Sequence, residues 1–199
     1  AEVRGLAQPL GDEQVTALEM HTDVRQHGAL AFSLPMLNQI QHMVVWGQKA
    51  NVMSGVPTDC PQRDERRGWT GDSALTAEEA VMNYAMGAVY TRWLLQFEDD
   101  QTADGASNNF VPALNTGDGA PNWQAAYPNL VWALYTYYGD AGAAEAHHDS
   151  LARYYDHLHA LYNASARLAD YPTGFADWVP ANNVMGDKHL IGAFALLRD

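Results

Sequence analysis

The chain has 199 residues, a formal net charge of −13 and 47% hydrophobic residues. This length predicts one ordinary domain, or one domain with an appendage, and the apolar fraction argues against wholesale disorder. The acidity argues against nucleic acid and against an anionic membrane surface as partners, because both attract clustered Lys and Arg. No run of about 18 apolar residues occurs, so the sequence predicts no membrane span.

Residues 1–32 differ from the rest of the chain in their predicted structure. Val15–His21 is predicted as a weak strand and Glu2–Leu6 as a short extended piece. Because two short strands do not form a stable sheet alone, we interpret this segment as the C-terminal remnant of a β domain. Its first ten residues lack an apolar signal core, so no signal peptide is expected and the compartment stays unknown.

From residue 33 onward the apolar spacing predicts about six helices, and therefore an all-α fold. The first carries Leu37, Ile40 and Val44 as its apolar stripe and runs to about Ala50. The others are predicted at 73–84, with a possible capping box at Thr76, and at 87–101, 122–138, 141–162 and 188–198.

The predicted connections alternate between short and long. Short turns are expected at 84–87 and 139–140, and long loops at 51–72, 102–121 and 163–186. Antiparallel helices joined in this way place all three long loops on one face. Since loops on a rigid scaffold carry function, we predict the site on that face.

The first long loop concentrates charge around fixed backbone. Four carboxylates, three arginines and one Trp occupy the fourteen residues from Asp59 to Asp72. A solvated charged turn is the plain alternative. Prolines that fix the backbone, glycines that let it turn tightly and an apolar Trp make this alternative less likely, since such a turn needs none of them; they are Pro57, Pro61, Gly68, Gly71 and Trp69. Carboxylates held beside arginines can take different pKa values, which suits acid–base chemistry on a neutral polyhydroxyl substrate.

A Trp also lies near the end of each other long loop, at Trp123 and at Trp178. Each could simply be a core residue. Three Trp on one face, with carboxylates and amides nearby, favour a sugar site, because aromatic faces stack on pyranose C–H groups.

The remaining candidates for chemistry are weaker. The His pairs at 147–148 and 157–159 are not one helical turn apart, so neither a metal nor a cofactor is expected. Cys60 is the single cysteine, which excludes an internal disulfide. It could be a nucleophile, but a structural thiol is the favoured interpretation because no His lies nearby in the sequence.

The segment from Val56 to Asp72, VPTDCPQRDERRGWTGD, closely resembles the signature of the α-L-rhamnosidases of glycoside hydrolase family 78. The flanking segments Leu37–Gln48, Tyr137–Asp140 and Gly174–Trp178 also resemble that family. The resemblance implies an (α/α)6 barrel, of which residues 33–199 would form the N-terminal half. It further implies hydrolysis of terminal α-L-rhamnosides with inversion, and therefore two carboxyl groups on opposite sides of the scissile bond.

The resemblance also implies roles for individual residues. Glu65 would be the general acid, its pKa raised by neighbouring carboxylates and limited by the arginines. The residues implied to contact rhamnose are Asp59, Arg63, Asp64, Trp69, Asp72, Trp123 and Trp178. For Asp64, a structural ion pair with Arg63 or Arg66 is an equal alternative.

The sequence departs from the family pattern at three points. Arg67 stands where an apolar residue is common, and Gln124-Ala125 stands where a Gly-Asp pair is often found. No residue matches the general base, a Glu of the second half of the barrel, and Asp177 is a poor substitute. We therefore expect the chain alone to be inactive.

Three functional hypotheses follow from the sequence. The first is an α-L-rhamnosidase acting on rhamnose-containing glycosides or polysaccharides, whose partner would be the missing remainder of its own barrel. The alternatives are another (α/α)-barrel glycosidase and a non-catalytic sugar-binding module.

Overall fold

Helices dominate the part of the chain that the computed structural model describes, which comprises residues 4, 5, 8, 11–58, 66–113, 119–164 and 190. The helices are α1 (Pro35–Ala50), α2 (Thr70–Asn83), α3 (Gly87–Asp100), α4 (Pro121–Gln124), α5 (Ala126–Tyr138), α6 (Ala141–Ala146) and α7 (His148–Ala164). A short 3-10 helix, Asp12–Gln14, precedes them. The prediction of an all-α fold is confirmed. Within these ranges, no helix has both the length and the apolar character needed to cross a membrane.

Three predicted helices differ from the helices of the structure, one in its start and two because they are divided. Helix α2 begins at Thr70 rather than residue 73, and the Thr76 hydroxyl donates to the Asp72 carbonyl within the helix instead of capping it. The stretch predicted as 122–138 is divided into α4 and α5, which places Pro128 in a first helical turn, where its missing N–H is tolerated. The stretch predicted as 141–162 is likewise divided, at His147.

Both predicted short turns are confirmed. Between α2 and α3, the Tyr138 hydroxyl accepts from Met86 N at 2.8 Å and donates to the Tyr84 carbonyl at 3.2 Å. After α5, Gly139 takes a φ of 66°, a conformation that glycine adopts without strain. Asp140 then caps α6 by accepting from Ala143 N at 3.2 Å.

The core lies where α2, α3 and α5 meet. Helices α2 and α5 run side by side in the same direction, since Asn129 bonds to Ala74 near their starts and Tyr137 bonds to Glu78 farther along. Helix α3 packs against α5, its Tyr90 hydroxyl donates to the Ala77 carbonyl of α2 at 3.4 Å, and its Trp93 is fully buried. The residues that it contributes to the core are Val89, Tyr90, Trp93, Leu94 and Phe97.

Helix α1 is much more exposed than the sequence predicts. Its predicted apolar stripe of Leu37, Ile40 and Val44 is 36–44% exposed, and Gln48 is the helix residue that is buried. The stripe has the right spacing, but none of its three residues is buried by the described part of the chain.

The N-terminal segment forms fewer strands than expected. Within the described residues, 15–21 take part in no strand, so the strand predicted there is absent. The segment instead reaches the rest of the chain through separate backbone hydrogen bonds, such as Thr22 N to the Val52 carbonyl at 2.8 Å and His27 N to the Asn83 carbonyl of α2 at 2.9 Å. A small antiparallel hairpin that the sequence did not predict follows α1, formed by β1 (Val52–Met53) and β2 (Val56–Pro57).

Two predicted regions fall largely outside the described residues. They are the third long loop and the sixth helix at 188–198, of which only Leu190 is described.

Candidate sugar-binding site

The end of the first long loop is fixed to the second loop by backbone hydrogen bonds. Val111 N donates to the Gly68 carbonyl at 2.9 Å, and Thr70 N donates to the Asn109 carbonyl at 2.9 Å. The buried Thr70 hydroxyl adds a bond to the same carbonyl at 2.9 Å. A Cβ on Gly68 would lie 2.2 Å from the Val111 carbonyl oxygen, so this close approach requires glycine.

The second loop is in turn anchored to the core helices. The buried Trp93 of α3 donates from Nε1 to the Val111 carbonyl at 2.9 Å. The Asp100 carboxylate accepts from Ala113 N; burial raises the pKa of this carboxyl, and the hydrogen bond opposes the rise. The Gln101 side chain donates to the Ser150 carbonyl of α7 at 2.9 Å. Hydrogen bonds to α3 and α7 therefore hold the second loop in place at the site.

An aromatic and cationic cluster lies where the two loops meet. Trp69 and Phe110 face each other across an isolated β-bridge, with ring centroids 5.2 Å apart in an edge-to-face arrangement. The Arg67 guanidinium lies over the Phe110 ring, 4.6 Å from its centroid. All three side chains are half-buried, so each is fixed by packing and still reaches solvent.

Asp72 lies in the first turn of α2, beside this cluster, and is exposed. A carboxylate in this position is favoured by the positive end of the helix dipole. Asp72 also lines a small polar cavity of about 80 Å³ together with Gln48, Asn51 and Thr58. The Asp72 carboxylate therefore lies at the surface, at the edge of this cavity and beside the cluster.

Trp123 brings the second loop against the start of α2. A Cβ on Gly71 would lie only 2.4 Å from indole atoms of Trp123, so the indole packs directly on the glycine backbone. Gln124 supports this arrangement by donating to the Gly119 carbonyl, and Ala120 N donates to the Asn109 side chain at 2.7 Å. Two of the three predicted loops therefore meet at one end of the helices, with Trp69, Asp72 and Trp123 adjacent.

A bacterial α-L-rhamnosidase six-hairpin glycosidase domain matches this chain over residues 25–195. The chain belongs to that family. Among curated relatives, an α-L-rhamnosidase of Streptomyces avermitilis is 36% identical over 179 residues, which cover 89% of this chain and 17% of the relative. An α-L-rhamnosidase of Formosa agariphila is 30% identical, covering 83% of this chain and 18% of the relative.

Solved α-L-rhamnosidase structures have the same fold. The Dictyoglumus thermophilum enzyme superposes with a TM-score of 0.83 at 34% identity, covering 89% of this chain and 20% of that one. The Streptomyces avermitilis enzyme, solved in complex with L-rhamnose, gives a TM-score of 0.78 at 34% identity, covering 88% of this chain and 17% of that one. This chain thus spans about a fifth of the length of the relatives that it matches.

The other predicted site residues of this rhamnosidase-family chain lie outside the described residues. They are Asp59, Arg63, Asp64, Glu65 and Trp178, together with Cys60 and Asp177. Among the described residues, no three His, Cys, Asp or Glu side chains are grouped so that they could hold a metal ion.

The sequence analysis missed two features of the site. Phe110 lies in the second loop without any motif, and its partnership with Trp69 depends on long-range pairing that spacing alone does not reveal. The sequence predicts Gly71 in the first long loop, whereas it lies inside α2 and provides room for Trp123. Glycine disfavours helix, so its occurrence in a helix beside Trp69 and Asp72 is the one sign in the sequence that another group packs there.

Proposed function

We propose that this chain is the N-terminal half of the catalytic domain of an α-L-rhamnosidase, which hydrolyses terminal α-L-rhamnosides with inversion. The observation that carries the proposal is the fixed group of Trp69, Asp72 and Trp123, in a family with a member solved in complex with L-rhamnose. Two half-buried indoles suit the apolar faces of a deoxy sugar, and the Asp72 carboxylate suits its hydroxyls.

The domain organisation is part of the same proposal. Residues 33–199 would supply the first half of an (α/α)6 barrel, and residues 1–32 the end of a preceding β domain. The parallel pairing of α2 and α5, with α3 packed outside them, supports this organisation because both helices begin at the same end as the two loops. In the complete domain, the exposed stripe of α1 would pack against the remainder of the barrel. In the 199-residue chain alone, this apolar stripe would stay exposed and promote aggregation.

In the proposed mechanism, Glu65 protonates the glycosidic oxygen as the rhamnosyl bond breaks. Four peptide units separate Glu65 from Trp69, which limits their Cα separation to about 14 Å. Gly68 and Thr70, which flank Trp69, are fixed to the second loop, so this limit is measured from a fixed point of the proposed site. A second carboxylate, about 6.5–9.5 Å away, would activate water on the opposite side, and we assign it to the part of the domain beyond this chain.

Asp59, Arg63 and Asp64 are proposed to bind the rhamnose hydroxyls, with Trp178 as a further aromatic wall. For Asp64, an ion pair with Arg63 or Arg66 remains the competing role. Rhamnose-containing glycosides or polysaccharides are the proposed substrates, and the chemistry requires no cofactor.

The test uses the complete six-hairpin domain that contains this chain, with Glu65→Gln as the variant and Glu145→Gln, an exposed change on α6, as control. On a rhamnoside with a poor leaving group, Glu65→Gln should lower kcat by about 10²–10⁴-fold. On a dinitrophenyl rhamnoside the loss should be much smaller, because that group leaves without protonation. A uniform loss on both substrates, or none, would contradict the role of Glu65.

Three further measurements test the rest of the proposal. NMR of the first-formed sugar should show the β-anomer, as inversion requires, and a panel of other aryl glycosides should be turned over far more slowly. The 199-residue chain alone should not hydrolyse a rhamnoside. Hydrolysis by that chain, abolished by Glu65→Gln, would refute the assignment of the base to the missing half.

A further inference from the structure

The Arg67 side chain has a geometry that the proposed reaction does not use. Its guanidinium is stacked on Phe110 at 4.6 Å from the ring centroid, and Phe110 is itself in edge-to-face contact with Trp69. We infer that Arg67 is a specificity-determining residue that binds an anionic group, a carboxylate or a sulfate ester, on the leaving group of the rhamnoside. This inference rests on the proposed function.

The Arg67 side chain is preorganised for binding. The Arg67 carbonyl accepts from Trp69 N at 2.9 Å, and the adjacent Gly68 is bonded to Val111, so the backbone on both sides of the stack is fixed. A guanidinium that stacks through its face keeps its N–H groups free to donate at its edge. Since the side chain is already ordered, little conformational entropy is lost when it binds an anion.

The positive charge of Arg67 contrasts with the acidic charge of the whole chain. The chain carries 24 acidic and 11 basic residues, so its overall field repels an anionic glycoside. Within the described residues, no carboxylate forms an ion pair with Arg67. A half-buried guanidinium without such an ion pair, placed at a proposed sugar site, is suited to an anion supplied by the substrate.

The position of Arg67 indicates which part of the substrate carries the anion. Rhamnose is a neutral deoxy sugar, and we assign it to Trp69. Arg67 is stacked on Phe110, and Phe110 contacts Trp69, so one aromatic ring separates Arg67 from the proposed rhamnose site. A group bound there therefore belongs to the leaving group, and the planar fork of Arg matches a carboxylate or sulfate through two parallel hydrogen bonds.

The experiment compares three aryl α-L-rhamnosides with matched leaving-group pKa values: neutral, carboxylated and sulfated. The complete six-hairpin domain is tested as wild type, as Arg67→Leu, which keeps apolar cover on Phe110, and as Arg67→Lys. Arg92→Gln, an exposed change on α3, is the control for loss of one positive charge.

In the wild type, we expect kcat/KM for one or both anionic substrates to exceed the neutral value by about tenfold. Arg67→Leu should remove this preference by raising KM for the anionic substrates, with the neutral substrate unchanged. Arg67→Lys should keep part of it, and salt should weaken it. The two anionic substrates show whether carboxylate or sulfate is preferred.

Two results would overturn the inference: a wild type without anionic preference, or an Arg67→Leu variant that loses activity equally on all three substrates. In both cases hydrolysis of the neutral rhamnoside still supports the proposed function. If none of the three substrates is hydrolysed, the proposed function fails and this inference fails with it.

Discussion

Helices α1 and α3 have similar lengths and similar apolar spacing, but they are held in different ways. Helix α3 buries Trp93, Leu94 and Phe97 almost completely, and Phe97 stacks on Tyr127 of α5 with ring centroids 5.0 Å apart. Helix α1 instead contacts the core through the half-buried Val45 and two polar contacts, from Gln41 to the Asn83 side chain at 2.8 Å and from Tyr84 to the Val45 carbonyl at 2.9 Å. Apolar periodicity therefore determines which face of a helix can pack, whereas the neighbours decide whether it does.

This difference matters for the site because the site is attached to the α3 side. The Val111 segment that fixes Gly68 receives its bond from Trp93, in the middle of α3. We therefore expect disruption of α3 to affect both stability and the site. Changes on the exposed face of α1 should affect neither within this chain.

Trp93→Ala should have the largest effect. It removes a fully buried indole, its edge-to-face contact with Phe97 at 5.0 Å and its hydrogen bond to Val111. Large-to-small changes of this kind cost about 3–5 kcal/mol, a large part of the stability of a typical domain. Urea unfolding measures the loss, and Trp93→Phe, which keeps much of the packing, should cost clearly less. Equal losses for both variants would show that the hydrogen bond, rather than the packing, dominates.

Gly71→Ala should have the next largest effect, by displacing Trp123. The new methyl group would overlap indole atoms at about the 2.4 Å separation calculated for an ideal Cβ, and overpacking of this kind costs about 1–3 kcal/mol. Near-UV circular dichroism should report the moved indole, and KM for a rhamnoside should rise in the complete domain.

Gly47→Ala is the matched control for Gly71→Ala. Gly47 lies in α1, and a Cβ there would meet no atom within 4 Å. Because alanine favours helix over glycine by about 0.5–1 kcal/mol, this variant should be neutral or slightly stabilised. An equal penalty at both glycines would contradict the proposed contact of Gly71 with Trp123.

The sequence predicted the helical fold, both tight turns and the meeting of the first two loops, because those features depend on local spacing and turn chemistry. It did not predict the exposure of Ile40, since burial depends on neighbours that spacing does not reveal. The early start of α2 was also missed, because Trp69, which lies at its N-cap, forms no side-chain cap bond that a motif could identify. Phe110 was missed for the same reason as Ile40: its role comes from a tertiary contact.

Glu79→Gln tests the polar connection between α2 and α1 through its pH dependence. Burial raises the pKa of Glu79, and the hydrogen bond from Asn83 at 2.7 Å lowers it by less. A raised folded-state pKa contributes stability that is complete below the unfolded-state pKa and is lost as the pH rises through the folded-state pKa. At pH 7 the ionised carboxylate therefore carries a burial penalty.

Glu79→Gln should accordingly stabilise the protein at pH 7 by less than about 1 kcal/mol, since solvent screens this half-exposed group. The amide oxygen can still accept from Asn83. Thermal unfolding at pH 7 and pH 4 measures the difference, which should shrink at the lower pH. Glu145→Gln on exposed α6 serves as the control, and an advantage of Glu79→Gln that is the same at both pH values would contradict the ionisation argument.

Ile40→Gln should have the smallest effect in the 199-residue chain, and it bears most directly on the contrast between α1 and α3. Ile40 is 44% exposed, so in the 199-residue chain the change should alter the free energy of unfolding by no more than about 0.5 kcal/mol. In the complete domain, the proposed barrel would bury this stripe, and the same substitution should cost about 2 kcal/mol or more, through lost apolar burial and an added polar group. Urea unfolding of both proteins gives the comparison. A small effect in both would mean that the α1 stripe stays exposed, and that the remainder of the barrel packs elsewhere.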